Sequence, residues 1–431
     1  MITVARRQAL LASAVAIVVA LATAAVALRP AIATANTPPR PSPSAAAHTT
    51  RPLPSAPAAP ALGVRAAALI EESTGQPLYG VNADARLPIA SATKLMTAVV
   101  TLRHTRLGQV FAAPTYYLPP QDSQIGLVPG ERMSVHDLLI AMLLPSADDA
   151  AQDLAYNVGH HSVSRFLAMM NARARELGLT DTHYATPSGL DTPGNYSSAG
   201  DLVTMARYLL TTQPFFRDVV GTPRYTLRTG NHPRAVVNLN DLVARHSWIN
   251  GVKTGHTLDA GYVLVVSGTQ HGMTLIGAVL GAPSEAGRDA SALALLNYGF
   301  ANFGLRTPVH AGQVLARTQV TDKPDAHRRL VAASSYTRVF PRSARVRLQV
   351  SAPASLTGPL PRHAVVGSVQ VLEGRRVVER IPLLLAAELP KVKVSTAVGS
   401  VVLLSVTLSG LLVAVGAAIG LTMFWREWHR G

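Results

Sequence analysis

Two long uncharged stretches bracket this chain, and they limit what its ends can become. Arg6 and Arg7 precede a run from Gln8 to Leu28 with no charged residue. At the other end no charge falls between Lys393 and Arg426, and Thr396 to Trp425 is dominated by Val, Leu, Ala and Gly. A buried core helix is rarely so long and so free of charge. The run is long enough to span a bilayer with tilt, and a transmembrane helix is expected over residues 394–425. Trp425 and Trp428, with Arg426 and Arg430, suit an interfacial belt and a short cytoplasmic tail, 426–431. Residues 1–35 read as a signal peptide or an N-terminal anchor, because Ala31-Ile32-Ala33 and Ala33-Thr34-Ala35 offer small-residue cleavage sites. Either way the first arginines stay inside, and the chain beyond the apolar run is exported.

Between these ends, residues 36–61 are rich in Pro, Ala and Ser, with eight prolines from 37 to 60. Such a segment packs no core and reads as an extended linker. The full 431 residues leave room for two globular domains besides these appendages. There is no cysteine, which excludes disulfides, thiolate metal sites and a Cys nucleophile. The net charge of +15 raises the question of nucleic acid. The arginines are scattered, with no dense basic run or aromatic-interleaved patch, so no nucleic-acid partner is expected. A position beside anionic lipid or an anionic wall polymer fits better. Five lysines stand against 34 arginines. Arg cannot act as a base and Lys can once its pKa is depressed, so Lys94 and Lys253 stand out.

The middle of the chain alternates between two textures. Val64–Ile70 and Pro77–Val81 read as a hairpin around Glu72-Ser73-Thr74-Gly75. A helix is expected from Ile89 to Thr101, with Ser91 in its first turn, and further helices at Ser134–Leu144, Asp148–Val158, Ser162–Leu177 and Ser198–Leu210. Strand-like runs come next at Ile249–His256, Tyr262–Ser267 and Met273–Leu280, then a helix at Glu285–Phe300. Strands at both ends of a helical block predict an α+β domain over 62–305. From 306 to 390, short alternating runs at Gln313–Ala316, Ala344–Val350, Ala364–Leu372 and Val377–Leu385 predict a small all-β domain.

Three short motifs carry chemistry. Ser91-Ala92-Thr93-Lys94 puts a hydroxyl and an amine three residues apart at a helix start, where both share a face. A serine hydroxyl needs an adjacent base, and a desolvated lysine can be one. Ser146-Ala147-Asp148 comes after an apolar run and opens a helix, so Ser146 also reads as a plain N-cap. In Lys253-Thr254-Gly255 a charge and a hydroxyl can hold a carboxylate, and the Gly lets a substrate backbone approach. Each motif alone is weak. Together, in this order and in an exported chain, they match the signature of penicillin-binding proteins and class A β-lactamases.

The flanking sequence narrows the match. Pro88-Ile89-Ala90-Ser91-Ala92-Thr93-Lys94-Leu95-Met96-Thr97, Thr186-Pro187-Ser188-Gly189-Leu190-Asp191, Tyr196-Ser197-Ser198-Ala199 and Gly251-Val252-Lys253-Thr254-Gly255-His256-Thr257 resemble low-molecular-mass D-alanyl-D-alanine carboxypeptidases. The resemblance covers roughly residues 62–305. It implies a penicillin-binding/β-lactamase-like transpeptidase domain, an antiparallel sheet with helices plus a helical subdomain. It implies no cofactor and no metal. The partners it implies are peptidoglycan stem peptides as substrate, β-lactams as acylating inhibitors, and the membrane that carries the chain with its catalytic domain on the cell-wall side. Position by position, Ser91 attacks the penultimate D-Ala carbonyl, Lys94 takes its proton and Ser146 relays a proton to the leaving group. Lys253 supports that relay and, with Thr254, holds the terminal carboxylate. Gly255 leaves room for the substrate, and the N–H groups of Ser91 and His256 form the oxyanion hole.

One position departs from the pattern: the family has Asn where this chain has Asp148. An Asn amide donates, whereas an ionised Asp only accepts, and a carboxylate beside two lysines favours their charged forms. An active but unusual enzyme is therefore one expectation. A poorly active or non-catalytic wall-binding homologue is the other, with a β-lactamase further behind because no Glu-x-x-x-Asn deacylation element is visible.

Overall fold

The computed structural model describes residues 59–321, 323–391 and 415. The expected N-terminal signal or anchor, most of the Pro-rich linker and the expected span at 394–425 lie outside the described residues, apart from Val415. Among the described residues no helix is long and apolar enough to cross a membrane.

The chain opens with the hairpin its sequence predicts, β1 (Ala66–Glu71) and β2 (Pro77–Val81), paired antiparallel. The Glu71 carboxylate closes the turn by accepting from the backbone N–H groups of Ser73 and Thr74 and from both hydroxyls. All six residues of β1 are buried, as in a strand covered on both faces. A 3-10 turn, Ala90–Thr93, then leads into α1 (Lys94–His104). This departs from the single helix expected over Ile89–Thr101. Ala90 sits at φ 46, outside the right-handed helical region, so the regular helix begins only after the Ser91 turn.

The helical block comes next. Strands β3 (Val110–Ala112) and β4 (Arg132–Ser134) pair, and α2 (Val135–Leu143), α3 (Asp148–Val158), α4 (Val163–Glu176) and α5 (Ala199–Thr212) come after them. Three of these helices start on serine: Ser134 accepts from Asp137 N–H, Ser162 from Arg165 N–H and Ser198 from Asp201 N–H. Each such cap stabilises a helix by about 1 kcal/mol. The short α6 (Pro214–Val220), not anticipated from sequence, begins with proline at a position where its missing N–H costs nothing. A strand pair, β5 (Arg224–Leu227) and β6 (Arg234–Val237), and a single helical turn, α7 (Leu242–Arg245), return the chain to the sheet.

Strands β7 (Ile249–Thr257), β8 (Gly261–Gln270) and β9 (Met273–Ala282) complete an antiparallel five-stranded sheet in the order β2-β1-β9-β8-β7, with β7 on the edge. Alternation along the strands gives the sheet two covered faces. Leu264, Val266, Leu275 and Val279 pack against Leu295, Leu296 and Phe300 of α8 (Glu285–Asn302). Val263, Val265, Ile276 and Ala278 face the helical block in a second, larger core.

The β-rich region holds β10 (Phe303–Val309), β11 (Val314–Val320), β12 (Lys323–Ala332), β13 (Tyr336–Pro341), β14 (Val346–Ser351), β15 (Ser355–Leu356), β16 (Val365–Glu373) and β17 (Arg376–Leu385). Strands β10 and β13 form a pair, and the others form a six-stranded sheet in the order β14-β16-β17-β12-β11-β15. Leu330, Phe340, Val369, Val371, Ile381, Leu383 and Leu385 belong to its own core. The four runs expected here correspond to β11, β14, β16 and β17. Strands β10, β12, β13 and β15 were not expected. β12 carries Pro324 and four charged residues, which hide its strand pattern. The region is fastened to the first sheet through Gln76, whose side chain exchanges hydrogen bonds with the backbone of Val339 at 3.1 and 3.2 Å.

Candidate active site

Ser91 lies in the 3-10 turn, and Lys94 opens the helix behind it. The Lys94 side chain is fully buried, and its ammonium donates to three acceptors: Ser91 Oγ at 2.7 Å, Asp148 Oδ1 at 2.6 Å and the Ser188 carbonyl at 2.8 Å. These partners come from the Ser91 turn, the start of α3 and the Thr186–Asp191 segment. All three N–H bonds of the charged amine are thereby used. When the amine gives up one proton, its lone pair is available to the Ser91 hydroxyl. Burial pulls the Lys94 pKa below the ordinary lysine value, and the Asp148 carboxylate works against that shift.

The Thr186–Asp191 segment holds the turn from below. Thr97 Oγ1 donates to the Pro187 carbonyl at 2.6 Å, and Asn195 Nδ2 donates to Thr93 Oγ1 at 3.1 Å. Gly189, at φ +94, lies so close to the Ala90 carbonyl that any Cβ there would overlap it. Sequence reasoning gave this segment no chemical role, because a backbone carbonyl such as that of Ser188 has no side-chain signature.

Ser146 is 3% exposed and sits at φ 65, a conformation that costs a non-glycine residue of order 1 kcal/mol or more. It is not the N-cap that its position suggested. The cap of α3 is Ala147, with no side-chain capping bond, and Ser146 Oγ bonds to no described protein group. The positive φ turns the residue out of the helix line. Asp148, 4% exposed, spends Oδ1 on Lys94. Its backbone N–H donates to the Ser123 carbonyl at 2.7 Å.

The neighbouring Asp149 organises the loop in front of the site. Its buried carboxylate accepts from the backbone N–H groups of Ile125, Gly126 and Leu127 at 2.9 to 3.2 Å. That loop carries Asp122, whose pKa is raised by burial and by Asp148 and lowered by Lys94, so it faces the same cluster. Neither Asp122 nor Asp149 stood out in the sequence. An acidic first turn is ordinary for a helix, and nothing local marks a carboxylate whose partners lie more than twenty residues upstream.

Strand β7 brings the remaining residues. Lys253 is 1% exposed, and its ammonium donates to the Thr254 carbonyl at 3.1 Å. Its pKa is well below the ordinary value, first through burial and then through the nearby positive charge of Lys94. A Cβ on Gly255 would stand 2.9 Å from Ser91 N and 3.1 Å from the Ile89 carbonyl, so only glycine lets β7 close on the Ser91 turn. His256 is exposed and stacks on Tyr262 at 4.0 Å between ring centroids. The structure thus brings Ser91, Lys94, Asp148, Lys253 and Gly255 into one cluster, with Ser146 two residues before Asp148, Thr254 buried next to Lys253 and His256 exposed near the end of β7.

Comparison with known proteins agrees with this geometry. A family model described as D-alanyl-D-alanine carboxypeptidase matches residues 54–284. The D-alanyl-D-alanine carboxypeptidase DacC of Escherichia coli is 32% identical over 349 residues, covering 76% of this chain and 84% of that protein. DacF of Bacillus subtilis is 32% identical over 262 residues, covering 59% and 67%. Among solved structures, penicillin binding protein 5 from Haemophilus influenzae superposes with a TM-score of 0.62 at 26% identity, covering 78% of this chain and 99% of that one. The Streptomyces K15 DD-transpeptidase does so at 0.54 and 34%, covering 56% and 98%. With its family match over more than half its length and Ser91 held by the buried Lys94 at the head of α1, this chain belongs to the D-alanyl-D-alanine carboxypeptidase family of serine peptidases.

Proposed function

We propose that the enzyme removes the terminal D-Ala from peptidoglycan stem pentapeptides through an acyl-enzyme on Ser91. Lys94 in its neutral form takes the Ser91 proton as Oγ attacks the penultimate D-Ala carbonyl. The C–N bond breaks, and Ser146 passes a proton to the departing D-Ala nitrogen. Lys253 supports that relay electrostatically and, with Thr254, receives the terminal carboxylate. The backbone N–H groups of Ser91 and His256 serve the oxyanion. Water then cleaves the ester and restores Ser91. The same serine opens β-lactams. The observation that carries this reading is the 2.7 Å contact between Lys94 Nζ and Ser91 Oγ, with the lysine fully out of water.

Around this chemistry we assign residues 1–35 to a signal or anchor, 36–61 to a linker, 62–305 to the catalytic domain, 306–390 to a small β-rich domain, 394–425 to a membrane span and 426–431 to a cytoplasmic tail. The uncharged end runs support the membrane assignment, which puts catalysis on the cell-wall side. Mass spectrometry of penicillin-treated protein, run beside D-Ala release from a soluble pentapeptide, tests the chemistry. An adduct on Ser91 and release lost in Ser91→Ala are expected. An adduct elsewhere, or release that survives in Ser91→Ala, overturns it.

A further inference from the structure

The positive charge of this protein is unevenly placed. Residues 62–305 hold seventeen Lys and Arg against eighteen Asp and Glu, a net −1. Residues 306–390 hold thirteen against five, a net +8 in about a third of the length. Genomic preference for arginine over lysine does not explain this. It changes which base is used, not the balance of bases over acids between two parts of one chain.

Within the β-rich region one end concentrates the charge. Arg345, Arg347, Arg375, Arg376 and Arg380 are exposed, and none takes part in an ion pair with a described residue. Strand register brings them together. The Gly374 N–H donates to the Arg345 carbonyl, which seats Arg345 at the β16–β17 turn beside Arg375. Arg347 lies opposite Leu372, which lies opposite Val377 on β17, and Gln349, Gln370 and Arg380 form the next rung of the same face. The nearby carboxylates belong to the other face. Glu379 opposes the buried Val371, and Glu373 opposes both Val346, which packs against the core, and Arg376, so Arg376 stands at the hairpin end with Glu373 as its cross-strand neighbour. The outward face thus carries Arg347, Arg380, Gln349, Gln370 and a small apolar strip with no acid among them, and Arg345, Arg375 and Arg376 extend the charge around the turn.

We infer that this end of the β-rich region is a docking surface for the polyanionic glycan–peptide polymer of the wall, held through its carboxylates. Charge complementarity supplies the attraction, and Arg guanidinium is suited to carboxylate. A lipid surface fits less well. Strand β17 carries the chain roughly 30 Å away from this tip, from Arg376 to Leu385, before it leaves at Lys391 toward the C-terminal apolar run. The choice of polymer rests on the proposed carboxypeptidase function, since the substrate is part of that polymer. Holding the polymer would raise the local concentration of its stem peptides around the catalytic domain.

The test uses the full chain in detergent, carrying Ser91→Ala so that the polymer stays intact, and pelleting with insoluble peptidoglycan freed of attached polymers. Binding is expected at low salt and lost at high salt. It should be roughly tenfold weaker in the variant Arg347→Gln/Arg375→Gln/Arg376→Gln/Arg380→Gln, since four exposed charges each contribute modestly. Amidating the carboxyls of the polymer should abolish it. Made in the wild-type background, the same four changes should leave D-Ala release from a soluble pentapeptide unchanged. That arm reports folding and the proposed function separately from docking. Salt-insensitive binding, equal binding by the fourfold variant, or capture by anionic vesicles but not by the polymer overturns the inference.

Discussion

Lys94 Nζ meets Asp148 Oδ1 at 2.6 Å with both side chains almost wholly out of water. This pair places a carboxylate against the group that, in the proposed mechanism, must be neutral to accept the Ser91 proton. Burial lowers the Lys94 pKa and Asp148 raises it, so the two effects oppose each other at one nitrogen. Replacing the carboxylate by an amide keeps the shape and removes the raising effect. The Lys94 pKa then falls, and a larger fraction is neutral at any given pH. In Asp148→Asn the acid limb of penicillin acylation is expected to move to lower pH, with acylation near neutrality roughly tenfold faster. Stopped-flow acylation rates across pH check this. A limb that stays in place, or moves to higher pH, counts against the role given to Asp148.

The lysine itself allows a sharper test of base against mere charge. Lys94→Arg preserves a cation in the pocket, yet a guanidinium does not give up its proton in proteins. D-Ala release is expected to fall by about 10³-fold or more in Lys94→Arg and Lys94→Ala alike. Recovery of activity by arginine would show that only the positive charge matters.

Asp149 is expected to matter through the loop it ties down. Its removal leaves the N–H groups of Ile125, Gly126 and Leu127 without their acceptor beside the site. Asp149→Ala should lower the unfolding free energy by about 2–4 kcal/mol, and Asp149→Asn, which keeps one acceptor oxygen, by less. Denaturant unfolding of the two variants gives the comparison. Increased proteolysis between residues 119 and 128 should accompany the loss.

A second buried acid makes stability depend on pH. Asp153 Oδ1 accepts from Asn157 Nδ2 at 2.6 Å, while Oδ2 has no partner, and burial raises its pKa to about 7. A folded-state pKa above the unfolded one means that the folded protein holds the proton more tightly. The corresponding stability is fully present below about pH 4 and is lost as pH rises through about 7. Asp153→Asn should therefore flatten the fall in melting temperature between these values and stabilise the protein at pH 8. Thermal melts over that range decide it. An unchanged slope would place the pH dependence elsewhere.

Much of this architecture was legible in the sequence, and for local reasons. Ser134, Ser162 and Ser198 mark helix starts because a cap acts within four residues. Strands β7, β8 and β9 show as apolar runs because both faces of their sheet are covered. Ser91, Lys94, Ser146 and Lys253 stand out in the sequence because side-chain chemistry at fixed spacing leaves a signature. The hidden features depend on distant partners or unusual backbone. The 3-10 turn at Ser91 arises from the positive φ of Ala90, and the Ser188 carbonyl reaches Lys94 from 94 residues away. The loop before α2 has no periodicity, since one carboxylate, not a pattern, sets its shape. β12 escaped notice because its charged residues lie on a surface strand.

The position of β7 at the edge of its sheet has a consequence for solubility. An edge strand exposes unpaired N–H and C=O groups, a standing invitation to strands from other molecules. This edge cannot simply be blunted with proline or a bulge if an extended peptide is to lie along it. Here the Ser91 turn closes over it at Gly255, where the two backbones approach too closely for any side chain. The turn that holds Ser91 thus also shields this edge from strands of other molecules.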